Sequence, residues 1–181
     1  RGNENSAERL RKLCERSVSI GALAKKICEA EGASAKCINQ AACAGVVAHV
    51  GSLVLGTHWG KNFADACAEA DGKNLTMIES ERAAFGATHP KIGAYLLGLW
   101  GFKDPVIEAV AYHHEPSSCT HQEFSPLTAV HAAQYLCRLE NEELSLDTSL
   151  KDTFDMDYLA KVGVQDRIEV WRELVSKKGA A

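Results

Sequence analysis

The chain has 181 residues, 46% hydrophobic and 24% charged, with 20 Lys and Arg against 24 Asp and Glu. That length suits one domain with a sizeable core, or one domain with a small appendage. A net charge of −4 without a dense Lys/Arg block argues against a dedicated nucleic-acid binder. No apolar stretch is expected to reach membrane-crossing length, since the run Gly51 to Gly56 is interrupted by Ser52 and followed by His58. No signal peptide precedes Arg1, and the first residue is not Met. The expectation is therefore a cytoplasmic protein with no membrane partner, and a chain that forms the C-terminal part of a longer one. The seven Cys, at 14, 28, 37, 43, 67, 119 and 137, are odd in number and show no C-x-x-C pair. That fits reduced thiols better than a disulfide framework or a zinc knuckle.

Residues 1–5 are polar and expected to fray. Asn5 or Ser6 can cap a long first helix with the stripe Leu10, Leu13, Ser17, Ile20, Leu23, Ala24 and Ile27, closed by Gly32. Its other face carries Arg9, Arg11, Lys12, Glu15, Lys25 and Lys26, read as a solvated face, with a partner surface as the alternative. Ser34 can cap a second helix running through Ile38 to Leu53. Ala41 to Ala48 is small or apolar all round, so this segment is expected to be the most buried helix. His49 lies inside it and reads as a core histidine with one satisfied hydrogen bond. A short helix is expected over Asn62 to Glu69 and a turn at Asp71 to Asn74. Thr76 and Glu79 form a capping box for the next helix.

The stretch from Glu79 to Pro116 is the most informative. Pro90 and Pro105 each suit a first helical turn. Ile92, Tyr95, Leu96 and Leu99 recur at helical spacing, as do Val106, Ala109, Val110 and His113. Pro116 stops the second helix near His113 or His114. Two short antiparallel helices would bring His89, at the start of one, beside His113 and His114, at the end of the other. Gly93 is expected to let two helices approach closely, with Trp100 packed beneath the His pair. A polar loop follows at 117–124. Pro126 then opens a helix holding Leu127, Val130, His131, Gln134, Tyr135 and Leu136. Glu140 to Thr148 reads as an acidic loop. Asp155 caps a short helix closed by Gly163, and a last helix holds Ile168, Trp171, Leu174 and Val175, with 177–181 frayed. No alternating strand pattern occurs. The expected class is all-α: one domain over 1–181, a compact bundle of roughly eight or nine helices.

Several pieces resemble the HDOD family, the degenerate HD-related output domains of bacterial signalling proteins. They are Ala44-Gly45-Val46-Val47-Ala48-His49-Val50-Gly51-Ser52-Leu53-Val54-Leu55, then Glu81-Arg82-x-x-Phe85-Gly86-x-x-His89-x-x-x-Gly93-Ala94, and Leu97-x-x-Trp100-Gly101. Ala111-Tyr112-His113-His114-Glu115-Pro116 and Pro126-Leu127-Thr128-Ala129-Val130-His131 complete the set. The likeness runs from about Leu10 to Leu174 and implies a fold of the HD-domain type. In the related HD and HD-GYP phosphohydrolases, histidines and aspartates bind metals that activate water. Carried over position by position, the resemblance implies Arg16 where those enzymes have a first-helix His, and Ala48-His49 where they have the His-Asp doublet. It keeps His89, His113 and His114, and puts Gln134 near their last Asp. No metal-binding carboxylate remains where the enzymes have them.

Two functional readings follow. The first is a catalytically silent signalling module of a two-component or response-regulator pathway, partnered by a signalling protein or an attached receiver or sensor domain. Its set Arg16, Ala48, His49, His89, His113, His114 and Gln134 would survive as a hydrogen-bonded core network. No catalytic residue, metal or cofactor is expected. The alternative is a metal-dependent phosphohydrolase, acting on a cyclic dinucleotide, with a divalent transition metal on His49, His89, His113 and His114. A nucleotide held without turnover in the old cleft is a third reading.

Overall fold

In a computed structural model of the chain, residues 2–140 and 153–176 are described. The ten helices are α1 (Gly2–Ala30), α2 (Ala35–Val47), α3 (Val50–His58), α4 (Gly60–Lys73), α5 (Met77–Phe85), α6 (His89–Leu99), α7 (Asp104–Tyr112), α8 (Pro126–Glu140), α9 (Met156–Val162) and α10 (Ile168–Ser176). Short 3-10 turns occur at Pro116–Ser118 and Gln165–Arg167. No strand occurs among the described residues, so the class is all-α as expected. The expected second helix breaks at Ala48 and His49, so the helices number ten if α2 and α3 are counted apart and nine if not. Apart from Glu140, the acidic loop expected up to Thr148 lies outside the described residues, as do 177–181.

Local chemistry sets most boundaries. Ser34 Oγ accepts the Cys37 N–H at 3.3 Å and caps α2. Thr76 and Glu79 complete both halves of the capping box on α5. Pro90 and Pro105 sit in the first turns of α6 and α7. Asp155 Oδ1 accepts the Tyr158 N–H and starts α9, which Gly163 ends at φ 79°. Two boundaries differ from expectation. α1 starts at Gly2, ahead of the Asn5 and Ser6 caps. α4 runs through the expected turn to Lys73 and ends on Asn74 in the left-handed region, which Asn tolerates.

Two close crossings position everything else. A Cβ on Gly45 would sit 2.6 Å from Gly21 Cα, so α1 and α2 touch backbone to backbone. A Cβ on Gly51 would sit 2.1 Å from the His89 carbonyl oxygen, which presses α3 onto the start of α6. Gly93 faces the same crossing, against Val50 and Val110, as expected of it. Trp100 departs from expectation. It caps the far end of α6, away from His89, and is 60% exposed, so it does not underlie the His pair.

The most buried helix is α8, not the segment Ala41 to Leu53. Every residue from Pro126 to Leu136 is buried, whereas Val46 on α2 is 48% exposed. The polar residues of α8 disguise this by making it look amphipathic, yet Thr128 and His131 are satisfied internally. Thr128 pairs with the Tyr158 hydroxyl at 2.8 Å, and His131 donates from Nδ1 to the His113 carbonyl and accepts the Asp155 N–H. At the other end of the core, the Trp171 indole N–H and the Arg167 guanidinium both donate to Glu31, tying α10 to the end of α1. The charged face of α1 is paired within itself and its surroundings: Arg11 with Glu8 and Glu15, Lys25 with Glu29, Arg9 with Asp71. It is a solvated face.

Read together, α2 and α3 make one stretch, Ala35–His58, long and apolar enough by length and composition to cross a membrane, contrary to the expectation from the shorter run. Its buried positions line this domain's own core, a role that the same composition serves equally well.

The Gly51 crossing generates a paired prediction. Gly51→Ala should lower stability by about 1–3 kcal/mol, because backbone and not a flexible side chain blocks the new methyl group. Gly98→Ala meets nothing and should be neutral or stabilising by up to about 1 kcal/mol. Thermal denaturation of both variants checks this; equal melting temperatures would refute the crossing.

Candidate functional site

Four histidines converge where α1, α3, α6, α7 and α8 meet. His49 occupies the break before α3 and is buried. His89 opens α6 and is buried; Thr88, not His89, is the N-cap. His113 caps α7 and is fully buried, with His114 next to it. Ring centroids lie 4.3 Å apart for His113 and His114, 5.0 Å for His89 and His114, and 5.4 to 5.5 Å from His49 to His89 and His113. The break at Ala48 and His49 swings the His49 ring to this point. Ala48 itself is buried among apolar neighbours and presents no polar group.

The hydrogen bonds assign the tautomers. Glu81 Oε2 accepts both the His89 backbone N–H at 2.7 Å and its Nδ1–H at 2.8 Å. His89 Nε2 then faces His114 Nε2 at 3.2 Å, and Gln134 Nε2 lies 3.1 Å from His114 Nδ1 and 3.2 Å from His114 Nε2. A continuous chain of polar contacts therefore runs from Gln134 through His114 and His89 to Glu81. His113 donates from Nδ1 to the Val110 carbonyl at 2.8 Å, and His49 Nδ1 pairs with Ser17 Oγ at 3.2 Å. His113 Nε2 is buried without a partner.

Burial holds the imidazoles of His49 and His113 well below the ordinary histidine range. For His49 the neighbouring His89 and the Arg16 guanidinium add to the effect; for His113, His114, His49 and His89 do. Arg16 is 4% exposed and lines a cavity of about 20 Å³ with Leu13, His49, Ser52, His89 and His114. A single water or ion fills such a space, and a phosphoester does not fit.

The cluster can be tested against the metals that HD phosphohydrolases use. Ligand atoms of His49, His89, His113 and His114 lie within 4.8 Å of one another, near enough to share one ion. A two-metal hydrolytic centre does not fit. Among the described residues no carboxylate joins the ligand cluster; Glu81 Oε2 binds the outer nitrogen of His89, and Arg16 supplies positive charge instead. Sequence reasoning named Arg16, His49, His89, His113, His114 and Gln134, which meet here, and missed the roles of Glu81 and Ser17. Glu81 stood in the motif Glu81-Arg82-x-x-Phe85-Gly86, but nothing in that spacing shows a carboxylate folding back onto His89.

The comparisons with known proteins bear on this geometry. The HDOD domain profile matches residues 1–116. The chain belongs to the HDOD domain family. The matched region holds α1 to α7 and all four clustered histidines, while α8, with Gln134, lies beyond it. Among solved structures, an HDOD domain protein with unknown function from Geobacter sulfurreducens is similar at a TM-score of 0.72 and 21% identity, covering 92% of this chain. A "Putative phosphohydrolase" from Shewanella amazonensis SB2B is similar at a TM-score of 0.67 and 14% identity, also over 92% of this chain. The chain spans 57% and 59% of the length of those two. At such identities the likeness is one of fold. No curated protein matches.

The neutral pair predicts a pH dependence. In the unfolded chain His49 and His113 take up protons near pH 6.5, and in the folded chain they resist. Their contribution to stability is complete above that value and is lost as pH falls below it, by about 1.4 kcal/mol per pH unit for each ring. His121, paired with Glu108 and shifted upward, acts in the opposite sense. Denaturation from pH 7.5 to 5 should therefore show a slope that His49→Gln reduces; an unchanged slope would contradict a neutral buried His49.

Proposed function

We propose that this HDOD domain is a catalytically silent regulatory module that works by contact with a signalling protein or an attached receiver or sensor domain. The observation that carries the reading is the closure of the site: about 20 Å³ of space, four packed imidazoles and no inward carboxylate. Hydrolysis of a phosphodiester needs room for the ester, a metal-bound water and charge neutralisation, and each is lacking here. The same small volume argues against a nucleotide held in the old cleft. Contact is favoured by the surface. Tyr95, Leu99 and Trp100 are 69%, 66% and 60% exposed on the outer end of α6, and Tyr95 and Leu99 share a face at i, i+4 spacing.

A second reading rests on one atom. His113 Nε2 is a buried lone pair without a donor, a feature that a single ion on His49, His89, His113 and His114 would resolve. Such an ion would brace the core, and the silent reading stands with or without it.

Purified protein supplied with Mn²⁺, Fe²⁺ or Zn²⁺ should hydrolyse a chromogenic phosphodiester no faster than the free metal does. Metal-dependent turnover that disappears in His89→Ala would overturn the proposal and restore the phosphohydrolase alternative.

A further inference from the structure

A second set of ligand-type side chains converges outside the imidazole cluster, on the loop that follows it. After the 3-10 turn Pro116–Ser118 the chain bends at Cys119 and Thr120, and Cys119 and His121 both come to lie against α7. There they meet Glu108. His121 Nδ1 lies 2.6 Å from Glu108 Oε2, and the Cys119 sulfur lies beside the same carboxylate. One sulfur, one imidazole nitrogen and one carboxylate oxygen lie within 4.8 Å of one another. Their exposure is graded: Cys119 is 4% exposed, the Glu108 side chain 23% and the His121 side chain 75%.

We infer that Glu108, Cys119 and His121 form a binding site for one divalent cation of the zinc class, with its fourth position open to solvent. Mixed sulfur, nitrogen and oxygen donors select borderline ions over calcium or magnesium. Three protein ligands with one open position is a coordination set that zinc adopts readily. The charge favours it too. A thiolate and a carboxylate offset the two positive charges, and Asp104 and Glu123 line the adjoining groove of about 550 Å³. At the imidazole cluster the neighbouring charge is Arg16, which opposes a cation. An ion pair accounts for His121 and Glu108, and the buried sulfur at the same point adds a third donor of the type zinc prefers. On binding, the ion replaces the thiol proton and the proton shared between His121 and Glu108, and both pass to solvent. The bound ion pins the 117–124 loop to α7 directly beyond His113 and His114. Sequence spacing concealed the set, because a C-x-H pair plus a glutamate on a separate helix matches no zinc-knuckle pattern.

Cobalt titration of the untagged, reduced chain tests this. Expected are one saturating equivalent, a thiolate-to-cobalt charge-transfer absorption in the near ultraviolet, and displacement by Zn²⁺. Cys119→Ser should abolish the absorption. Glu108→Gln and His121→Ala should each weaken binding by about tenfold or more, since even an outer-shell partner is worth that much. His113→Ala should leave the absorption unchanged, and circular dichroism should show each variant folded. No thiolate absorption in the wild type, or absorption that survives Cys119→Ser, would overturn the site. Cobalt bound without a sulfur signal and lost in His113→Ala would place the ion in the imidazole cluster and overturn it as well.

Discussion

The hold of Glu81 on His89 is the interaction on which the centre of this domain depends. A single carboxylate oxygen receives two N–H groups of one residue, both in the buried interior. Charge-assisted bonds of this kind are roughly twice as strong as neutral ones, and removing the acceptor would orphan two buried donors. The consequence is directional. With its Nδ1 committed to Glu81, His89 turns Nε2 inward to His114, and the Gln134 amide nitrogen lies against the His114 ring. One buried carboxylate thus anchors a chain of polar contacts that crosses from α5 to α8. The break before α3 and the glycine crossing at Gly51 bring His49 against the same chain.

That arrangement separates architecture from chemistry. Four histidines at the ends of α3, α6 and α7 are gathered at one point, and the groups around them hold that point closed. Gln134 contributes an amide hydrogen bond. Burial keeps His49 neutral, and the neighbouring His89 and the Arg16 guanidinium add to the effect. Glu81 Oε2 binds the outer edge of the cluster. A hydrogen-bonded polar core of this kind rigidifies a domain and holds its surfaces in fixed relation.

Much of this was legible in the residues. Capping residues are local signals, so Ser34, Thr76, Pro90, Pro105, Asp155 and Gly163 gave their boundaries directly. The convergence of His89 with His113 and His114 followed from two short antiparallel helices, and their positions came from the HDOD likeness. What failed depended on tertiary context. Trp100 looked like core by its bulk but lies at the wrong end of α6 to reach the His pair. Ala41 to Leu53 looked more buried than α8 because apolarity is visible in sequence, whereas satisfaction of Thr128 and His131 by distant partners is not. The break at His49 left no Gly or Pro to mark it. Glu81 and the Glu108, Cys119 and His121 set are tied together only by the fold.

The central claim is that burial holds His49 and His113 neutral within a hydrogen-bonded cluster anchored by Glu81. Nitrogen-15 NMR of the imidazole side chains at pH 6 measures it most directly. The account predicts that His49 and His113 are neutral there, and that His113 and His89 carry their proton on Nδ1. An imidazolium signal from His49 or His113, or a proton on His113 Nε2, would contradict it.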